Sequence, residues 1–376
     1  MNEKRIKVEL KDKSYEIILR QNIISKTGDY IKKLGAGKKI LIVTQDKIPK
    51  IYINKVIKNL RKTGYKTYVN SLPSGESYKS LSSLLKILNT AIKNKFERND
   101  SLLALGGGVI SDLTGFAASI YLRGINFVCI PTTLLGMVDA AIGGKTAINI
   151  KEGKNLIGTF YQPRLVLIDP ACLKTLSKKE FLVGMGEVIK YALLEKTGKK
   201  VFRNKGFFMY LKNTKNKILE LDPATLSKII EHSVSVKAFI VSKDEKESNL
   251  RAILNLGHTF GHGIEQAYNY KKYTHGEAVS IGTCLACKLG NDLKLFSEKD
   301  TNLAISLISD FGLPTKLTNL KLLSKITEAM LHDKKIKDGK LRFIIPTNNI
   351  GSVKIISGVT INNIIKIFKQ HHSGKN

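Results

Sequence analysis

Cysteine is scarce in this chain: Cys129, Cys172, Cys284 and Cys287 are the only four in 376 residues. So few thiols give no disulfide framework at this length, and they argue for a reducing compartment, the cytoplasm. Cys284-Leu285-Ala286-Cys287 lacks the second Cys-x-x-Cys that a zinc site would need and sits in an apolar, helical-looking stretch. Its thiols read as small buried hydrophobes. Nowhere do about 18 uncharged apolar residues follow one another, so no membrane-spanning helix is expected. The opening Met1-Asn2-Glu3-Lys4-Arg5 carries a glutamate with no apolar stretch behind it, which argues against a signal peptide. Acidic residues are also short, 31 against 62 Lys plus Arg, for a formal charge of +31. The lysines are scattered, however, and no helix-turn-helix, zinc finger or aromatic-basic motif accompanies them. The charge reads as a compositional bias on solvated faces, with no nucleic-acid partner. A field of this sign would still steer a small anionic substrate.

Hydrophobic content of 43% and charged content of 25% belong to an ordinary globular protein. The length favours two domains. Arg5–Leu10 and Ser14–Arg20 flank Lys11-Asp12-Lys13 and predict a hairpin. Short β-branched runs follow at Lys39–Thr44, Lys66–Asn70, Ser101–Leu105, Asn126–Ile130 and Arg164–Asp169, with amphipathic helices between several of them, such as Ile48–Thr63 and Ser80–Lys95. This alternation predicts a mostly parallel α/β sheet. After Asp169-Pro170 the texture turns helical, near 178–196, 224–242, 252–270, 276–296, 299–311 and 320–332, with one short strand at Leu341–Ile345. The domain boundary is placed near 175.

The densest chemistry lies in Leu254-Asn255-Leu256-Gly257-His258-Thr259-Phe260-Gly261-His262 and His275-Gly276-Glu277. His258 and His262 are four apart and share one face of a helix, and with His275 nearby they suggest a metal site. Glu187 and Lys190, in Gly184-Met185-Gly186-Glu187-Val188-Ile189-Lys190-Tyr191, share another helical face. They form an ordinary surface ion pair or, given their apolar neighbours, supply a carboxylate to that metal. Lys237 and Arg251 taken alone read as surface charges that could bind a carboxylate. Gly106-Gly107-Gly108 ends an apolar strand and precedes Val109-Ile110-Ser111-Asp112, an arrangement that lets backbone approach a pyrophosphate. Pro73-Ser74-Gly75-Glu76-Ser77-Tyr78-Lys79 and Pro131-Thr132-Thr133 follow other strands and fit the same dinucleotide. Gly143-Gly144-Lys145-Thr146 lacks the spacing of a Walker A loop, which excludes that NTPase class, but its lysine could hold a phosphate, as could Gly153-Lys154-Asn155.

Together these segments resemble the 3-dehydroquinate synthase family of sugar-phosphate cyclases. The resemblance runs from about 40 to 346 and is densest from 101 to 283. It is carried by Gly106–Phe116, Pro131–Leu135, Gly143–Thr146, Gly153–Gly158, Gly186–Tyr191, Arg251–His262 and His275–Val279. It implies a Rossmann-like nucleotide-binding α/β domain (1–175) followed by a mainly α-helical metal- and substrate-binding domain (176–376), with the active site in the cleft between them. It also implies a homodimer, NAD, and one divalent metal, zinc or cobalt. The implied reaction turns 3-deoxy-D-arabino-heptulosonate 7-phosphate, a phosphorylated sugar acid, into 3-dehydroquinate and phosphate. The steps are transient NAD-dependent oxidation, β-elimination of phosphate, re-reduction and intramolecular aldol closure.

By position the resemblance makes Glu187, His258 and His275 the metal ligands. His262 then faces the substrate phosphate with Lys145, Asn155 and Lys334 or Lys335, and Arg123 reaches that phosphate from the partner subunit. Asp139, Lys190, Lys237, Arg251 and Asn255 hold hydroxyls and carboxylate. NAD lies along Ser74, Gly75, Glu76, Ser77, Tyr78 and Lys79, along Gly108, Val109, Ile110, Ser111 and Asp112, and against Thr132, Thr133, Lys145 and Lys154. Cys172, Leu173, Lys174 and Thr175 complete that site. Ser111 departs from the family's usual glycine, and Gly263 from its usual alanine. Another cyclase of the superfamily, a metal-dependent polyol dehydrogenase and a basic nucleic-acid binder are the competing readings.

Overall fold

The computed structural model describes residues 3–197, 206–332 and 341–372. The chain folds as two compact units, Met1–Phe181 with Leu221–Lys246, and Leu182–Glu220 with Glu247–Asn376. The sequence reading cuts the chain once, near 175. The difference lies in the helix Pro223–Lys243, which packs on the first strand and on the helical turn Gly136–Ala140 and so groups with the first unit. Its start is capped by Asp222, whose Oδ1 accepts from the Thr225 amide at 2.9 Å, with Pro223 in the first turn.

The first unit is built on strands β1 (Lys4–Val8), β2 (Tyr15–Leu19), β3 (Lys39–Gln45), β4 (Lys66–Leu72), β5 (Ser101–Gly106), β6 (Asn126–Pro131), β7 (Lys145–Ile150), β8 (Gly153–Phe160) and β9 (Leu165–Ile168). Seven of them form one sheet in the order β1-β2-β9-β6-β5-β3-β4. All its pairings are parallel except β1 with β2, the predicted hairpin. Every residue of β5 is buried, the unbroken apolar pattern of a strand covered on both faces. Helices Lys50–Lys62, Leu81–Lys93 and Gly108–Ile120 alternate with β3 to β6. From β3 the chain steps outward to β4, then returns past β3 to β5, so the winding reverses between β3 and β5. The carboxyl ends of strands flanking such a reversal form the crevice where doubly wound sheets take ligands.

Strands β7 and β8 pair antiparallel as a separate hairpin, where the sequence suggested phosphate-holding loops. Glycines hide the strand signal there: a Cβ on Gly158 would lie 2.1 Å from the Thr146 carbonyl oxygen.

In the second unit the helix His275–Asp292 is buried along most of its length, with Ala278, Val279, Ile281, Cys284 and Cys287 fully buried. Around it pack helices His258–Ala267, Glu298–Asp310 and Ile361–Gln370 and strand β10 (Arg342–Pro346), which pairs with β11 (Val353–Ser357). The helix expected over 252–270 is broken. Leu250–Asn255 is a tight turn, and Gly257 at φ +78 resets the chain before His258. Cys129, Cys172, Cys284 and Cys287 are all buried free thiols, the burial of Cys284 and Cys287 being the one expected from their apolar surroundings. No helix among the described residues is long and apolar enough to cross a membrane.

Candidate active site

Glu187, His258 and His275 converge in the second unit, each offering a ligand atom within 4.8 Å of the others. Glu187 is fully buried, and one of its oxygens, Oε2, is ion-paired with the Lys190 ammonium. The other, Oε1, lies 3.6 Å from His258 Nε2 and 3.9 Å from His275 Nε2 without a hydrogen bond. His258 Nδ1 donates to the Leu256 carbonyl at 3.1 Å, and His275 Nδ1 is 3.2 Å from Glu265 Oε2. With Nδ1 protonated for those acceptors, each Nε2 carries a lone pair directed toward the same carboxylate oxygen. Three electron-rich atoms facing one another are mutually repulsive unless a cation lies among them. One carboxylate and two imidazoles with fixed outer nitrogens are the donor set of a catalytic zinc-type site, so the residues fit a divalent metal.

Glycines bring these helices within reach. A Cβ on Gly276 would stand 2.5 Å from both the Cα and the carbonyl oxygen of Val183, so the helix carrying Glu187 and the one beginning at His275 touch backbone to backbone. Gly257 and Gly282 make an equally close approach between the two histidine helices, a Cβ on Gly282 falling 2.1 Å from the Gly257 oxygen. Thr274 caps the His275 helix: its Oγ1 accepts from the Glu277 amide at 3.4 Å, and its own amide donates to Glu277 Oε2 at 2.7 Å. This capping box accounts for Glu277 in the His275-Gly276-Glu277 motif.

His262 stands one turn beyond His258, ring centroids 5.5 Å apart, and with Glu265 and His275 it forms a second trio of the same spacing. Lys190 and Arg251 are buried, at 1% and 2% exposure, so neither is the surface charge that spacing alone suggested. The Lys190 ammonium also lies 5.0 Å over the Tyr191 ring. Asn255 Nδ2 donates to Glu247 Oε1 at 2.6 Å. Lys334 and Lys335 lie outside the described residues.

In the first unit, four of the segments expected to meet NAD follow the carboxyl end of a parallel strand: Ser74–Lys79 after β4, Gly108–Asp112 after β5, Thr132 and Thr133 after β6, and Cys172–Thr175 after β9, whereas Lys145 and Lys154, expected there too, lie on the antiparallel β7–β8 hairpin. Gly107 caps the helix Gly108–Ile120 without a side chain. A Cβ on Gly107 would lie 3.1 Å from Thr133 and one on Gly108 3.2 Å from Ala140, so this amide-rich turn is closely packed. Val109 and Ile110 continue its first turn. Ser111 adopts ordinary helical geometry, its hydroxyl donating back to the Gly107 carbonyl at 3.3 Å and lying 3.2 Å from Cys129 Sγ. A serine is therefore accommodated there without strain. Thr132 Oγ1 is buried with no hydrogen-bond partner among the described residues, an orphan polar atom at a strand end.

Lys79 is 5% exposed and links two of these segments, its ammonium donating to Asp112 Oδ2 and to Asn155 Oδ1. Burial pushes the Asp112 carboxyl above the ordinary carboxylate range, and the Lys79 charge opposes it. Ser74 Oγ donates to Asp46 at 2.5 Å, Gly75 takes φ +129, and Glu76 accepts from Asn149 at 2.8 Å. Ser77 and Tyr78 complete that tight turn. Cys172 and Leu173 are buried, Lys174 is exposed, and Thr175 Oγ1 meets the Tyr52 hydroxyl at 2.9 Å. Lys237, far from being a surface charge, is 5% exposed and donates to the Asp139 carbonyl at 2.6 Å and to its Oδ1 at 2.7 Å. Lys145 opens β7, and Lys154 and Asn155 lie on β8. Arg123 is exposed in a turn where Leu122, Arg123 and Gly124 all have positive φ, at +50, +62 and +130.

Sequence reading missed Glu265 and Glu247, which touch His275 and Asn255. Glu265, seven residues after His258, shares its helical face, a spacing that could have exposed it. Gly263 has a reason besides helix propensity: a Cβ there would come within 2.5 Å of Met330 Cγ.

Comparison with known proteins matches these features. The family described as 3-dehydroquinate synthase N-terminal matches residues 69–183, and 3-dehydroquinate synthase C-terminal matches 184–336. The 3-dehydroquinate synthase of Prochlorococcus marinus (strain MIT 9515) is 45% identical over 372 residues, covering 98% of this chain and 100% of that protein. Among solved structures, the 2-epi-5-epi-valiolone synthase of Streptomyces hygroscopicus subsp. jinggangensis 5008, with NAD+ and Zn2+ bound, is 26% identical with a TM-score of 0.85, over 96% of this chain and 97% of that one. A 2-deoxy-scyllo-inosose synthase complexed with carbaglucose-6-phosphate, NAD+ and Co2+ is 25% identical with a TM-score of 0.85, over 98% and 100%. On motif, geometry and full-length identity alike, the chain belongs to the 3-dehydroquinate synthase family.

Proposed function

We propose that this protein converts 3-deoxy-D-arabino-heptulosonate 7-phosphate to 3-dehydroquinate and phosphate, using NAD and one divalent cation, zinc or cobalt. The observation that carries the cation is the buried Glu187 Oε1, facing the Nε2 atoms of His258 and His275 without a hydrogen bond. When bound, NAD supplies a reversible oxidation of one substrate hydroxyl, and the cation polarises that hydroxyl's oxygen.

The chain's own residues bind and orient. Lys145, Lys154, Asn155 and His262 would hold the phosphate by charge-assisted hydrogen bonds, with Arg123 supplied by a second subunit. Arg251 would grip the substrate carboxylate through its planar fork, with Asn255 beside it. Asp139 and Lys237, already hydrogen-bonded, would orient hydroxyls, as would Lys190. In the first unit the strand-end segments would hold NAD, with the amides of Gly108 to Asp112 at the pyrophosphate and Thr132 Oγ1 gaining the partner it lacks. A homodimer in the cytoplasm belongs to the same reading.

The test is incubation with the heptulosonate phosphate, NAD and zinc. One inorganic phosphate per carbocyclic product, with no net NADH, is expected. Stoichiometric NADH would instead indicate a polyol dehydrogenase, and turnover of a different sugar phosphate alone would indicate another cyclase.

A further inference from the structure

We infer that Glu265 is a positioning residue, fixing the His275 ring so that its Nε2 faces the cation site and thereby setting the affinity of that site. The inference rests on the metal reading above and names a residue that is not among its ligands. Glu265 lies on the helix His258–Ala267 and is 5% exposed. Its Oε2 is 3.2 Å from His275 Nδ1, while His275 Nε2 is 3.9 Å from Glu187 Oε1, so the imidazole stands between two carboxylates, one at each nitrogen.

His275 needs such a partner more than His258 does. It is the first residue of its helix, and 33% of its side chain is exposed against 12% for His258, so packing constrains the ring less. A neutral imidazole has two tautomers, and a ring flip exchanges its two nitrogens. An acceptor at Nδ1 selects the tautomer with the lone pair on Nε2 and resists the flip. His258 obtains this from the Leu256 carbonyl, a neutral backbone group. The carboxylate at His275 does more, because an anion hydrogen-bonded to the outer nitrogen makes the ligating nitrogen a stronger donor. The alternative is that Glu265 itself ligates a cation with His262 and His275, the second trio of suitable spacing.

The test uses the full chain stripped of metal. Zn2+ affinity is measured by competition with a chromophoric chelator, and the Co2+ visible absorption spectrum reports ligand geometry, for Glu265→Leu, Glu265→Gln and His275→Ala. Glu265→Leu is expected to weaken Zn2+ binding by about ten- to a hundredfold and to shift the Co2+ spectrum. Glu265→Gln, whose amide oxygen still accepts from Nδ1 but carries no charge, is expected to lose only a few-fold. The metal-free unfolding temperatures of both should stay close to wild type. Should Glu265→Leu fail to fold, the few-fold loss and shifted spectrum of Glu265→Gln carry the test, and wild-type values for it would overturn the inference. Wild-type affinity and spectrum in Glu265→Leu, with metal lost in His275→Ala, would overturn the inference while leaving the metal site intact. Equal weakening in both Glu265 variants with equally lowered metal-free stability would make the residue merely structural. Two Zn2+ per chain, one of them lost in Glu265→Leu, would make it a ligand. Metal retained at full affinity in His275→Ala would overturn the metal reading itself.

Discussion

Glu187→Gln should damage the protein in two separable ways. Glu187 and Lys190 are exposed by 0% and 2% at their side chains and are ion-paired one helical turn apart. Removing only the carboxylate charge leaves a buried ammonium without its counter-charge, and breaking such a pair costs about 3–5 kcal/mol. At about 2–4 °C per kcal/mol, the metal-stripped variant should unfold roughly 6–20 °C below wild type. The double variant Glu187→Gln, Lys190→Met removes both charges and fills the lysine's space with an apolar stem. It should recover most of that loss, since a buried pair replaced by neutral groups is often isoenergetic. Metal binding should not recover, because the anionic ligand is gone in both variants. Thermal unfolding of the stripped proteins and metal content after dialysis check the two halves independently. The reasoning fails if the single variant is as stable as wild type, if the double variant is less stable than the single, or if either variant retains a full equivalent of metal.

Gly276→Ala places a methyl 2.5 Å from Val183 main-chain atoms and should destabilise the protein by about 1–3 kcal/mol or more and reduce metal affinity. Gly263→Ala meets chiefly the flexible Met330 side chain and should cost less, a ranking that thermal unfolding would reverse if helix contact did not govern the site. His232 is 2% exposed, and burial pushes its pKa down to about 3 from 6.5. The unfolded chain therefore binds a proton that the folded one refuses between those values, so stability falls as pH drops from 6.5 toward 3. His232→Leu should reduce the slope of unfolding free energy against pH in that window by up to about 1.4 kcal/mol per unit, and an unchanged slope in urea titrations would contradict it. Burial raises the Cys129 and Cys287 thiols to about 12 and pushes Cys172 and Cys284 up as well. None of the four should react with a disulfide reagent at pH 8 until the protein is denatured, and rapid labelling of the native chain would refute that.

The parallel sheet was legible because β3, β5 and β6 are short β-branched or apolar runs, and the loops after β4, β5, β6 and β9 that were expected to meet NAD do follow strand carboxyl ends, unlike Lys145 and Lys154. The hairpin β7–β8 was not, because its glycines and lysines imitate a phosphate loop and its second strand is exposed from Asn155 onward. The helix break at Gly257 was invisible to periodicity, since apolar residues continue through it and only the left-handed φ betrays it. His258 and His262 looked like a ligand pair because helical spacing reports a shared face but not which neighbour completes the set. The carboxylate that faces His258 and His275 comes from a helix about 70 residues earlier in the chain, a separation that no local rule spans. Burial of Lys190, Lys237 and Arg251 escaped residue-level reasoning for a similar reason, since a lone cation reads as solvated until its tertiary partner is known.

The contact of Gly276 against Val183 makes the polypeptide itself the ruler between the carboxylate-bearing helix and the first imidazole of the next. Hydrophobic side chains elsewhere in this half can be exchanged over evolutionary time without altering that gauge, because none of them is interposed in it. Once a methyl is added at that point, no repacking elsewhere can restore the spacing, and the only repair is to take the methyl away again.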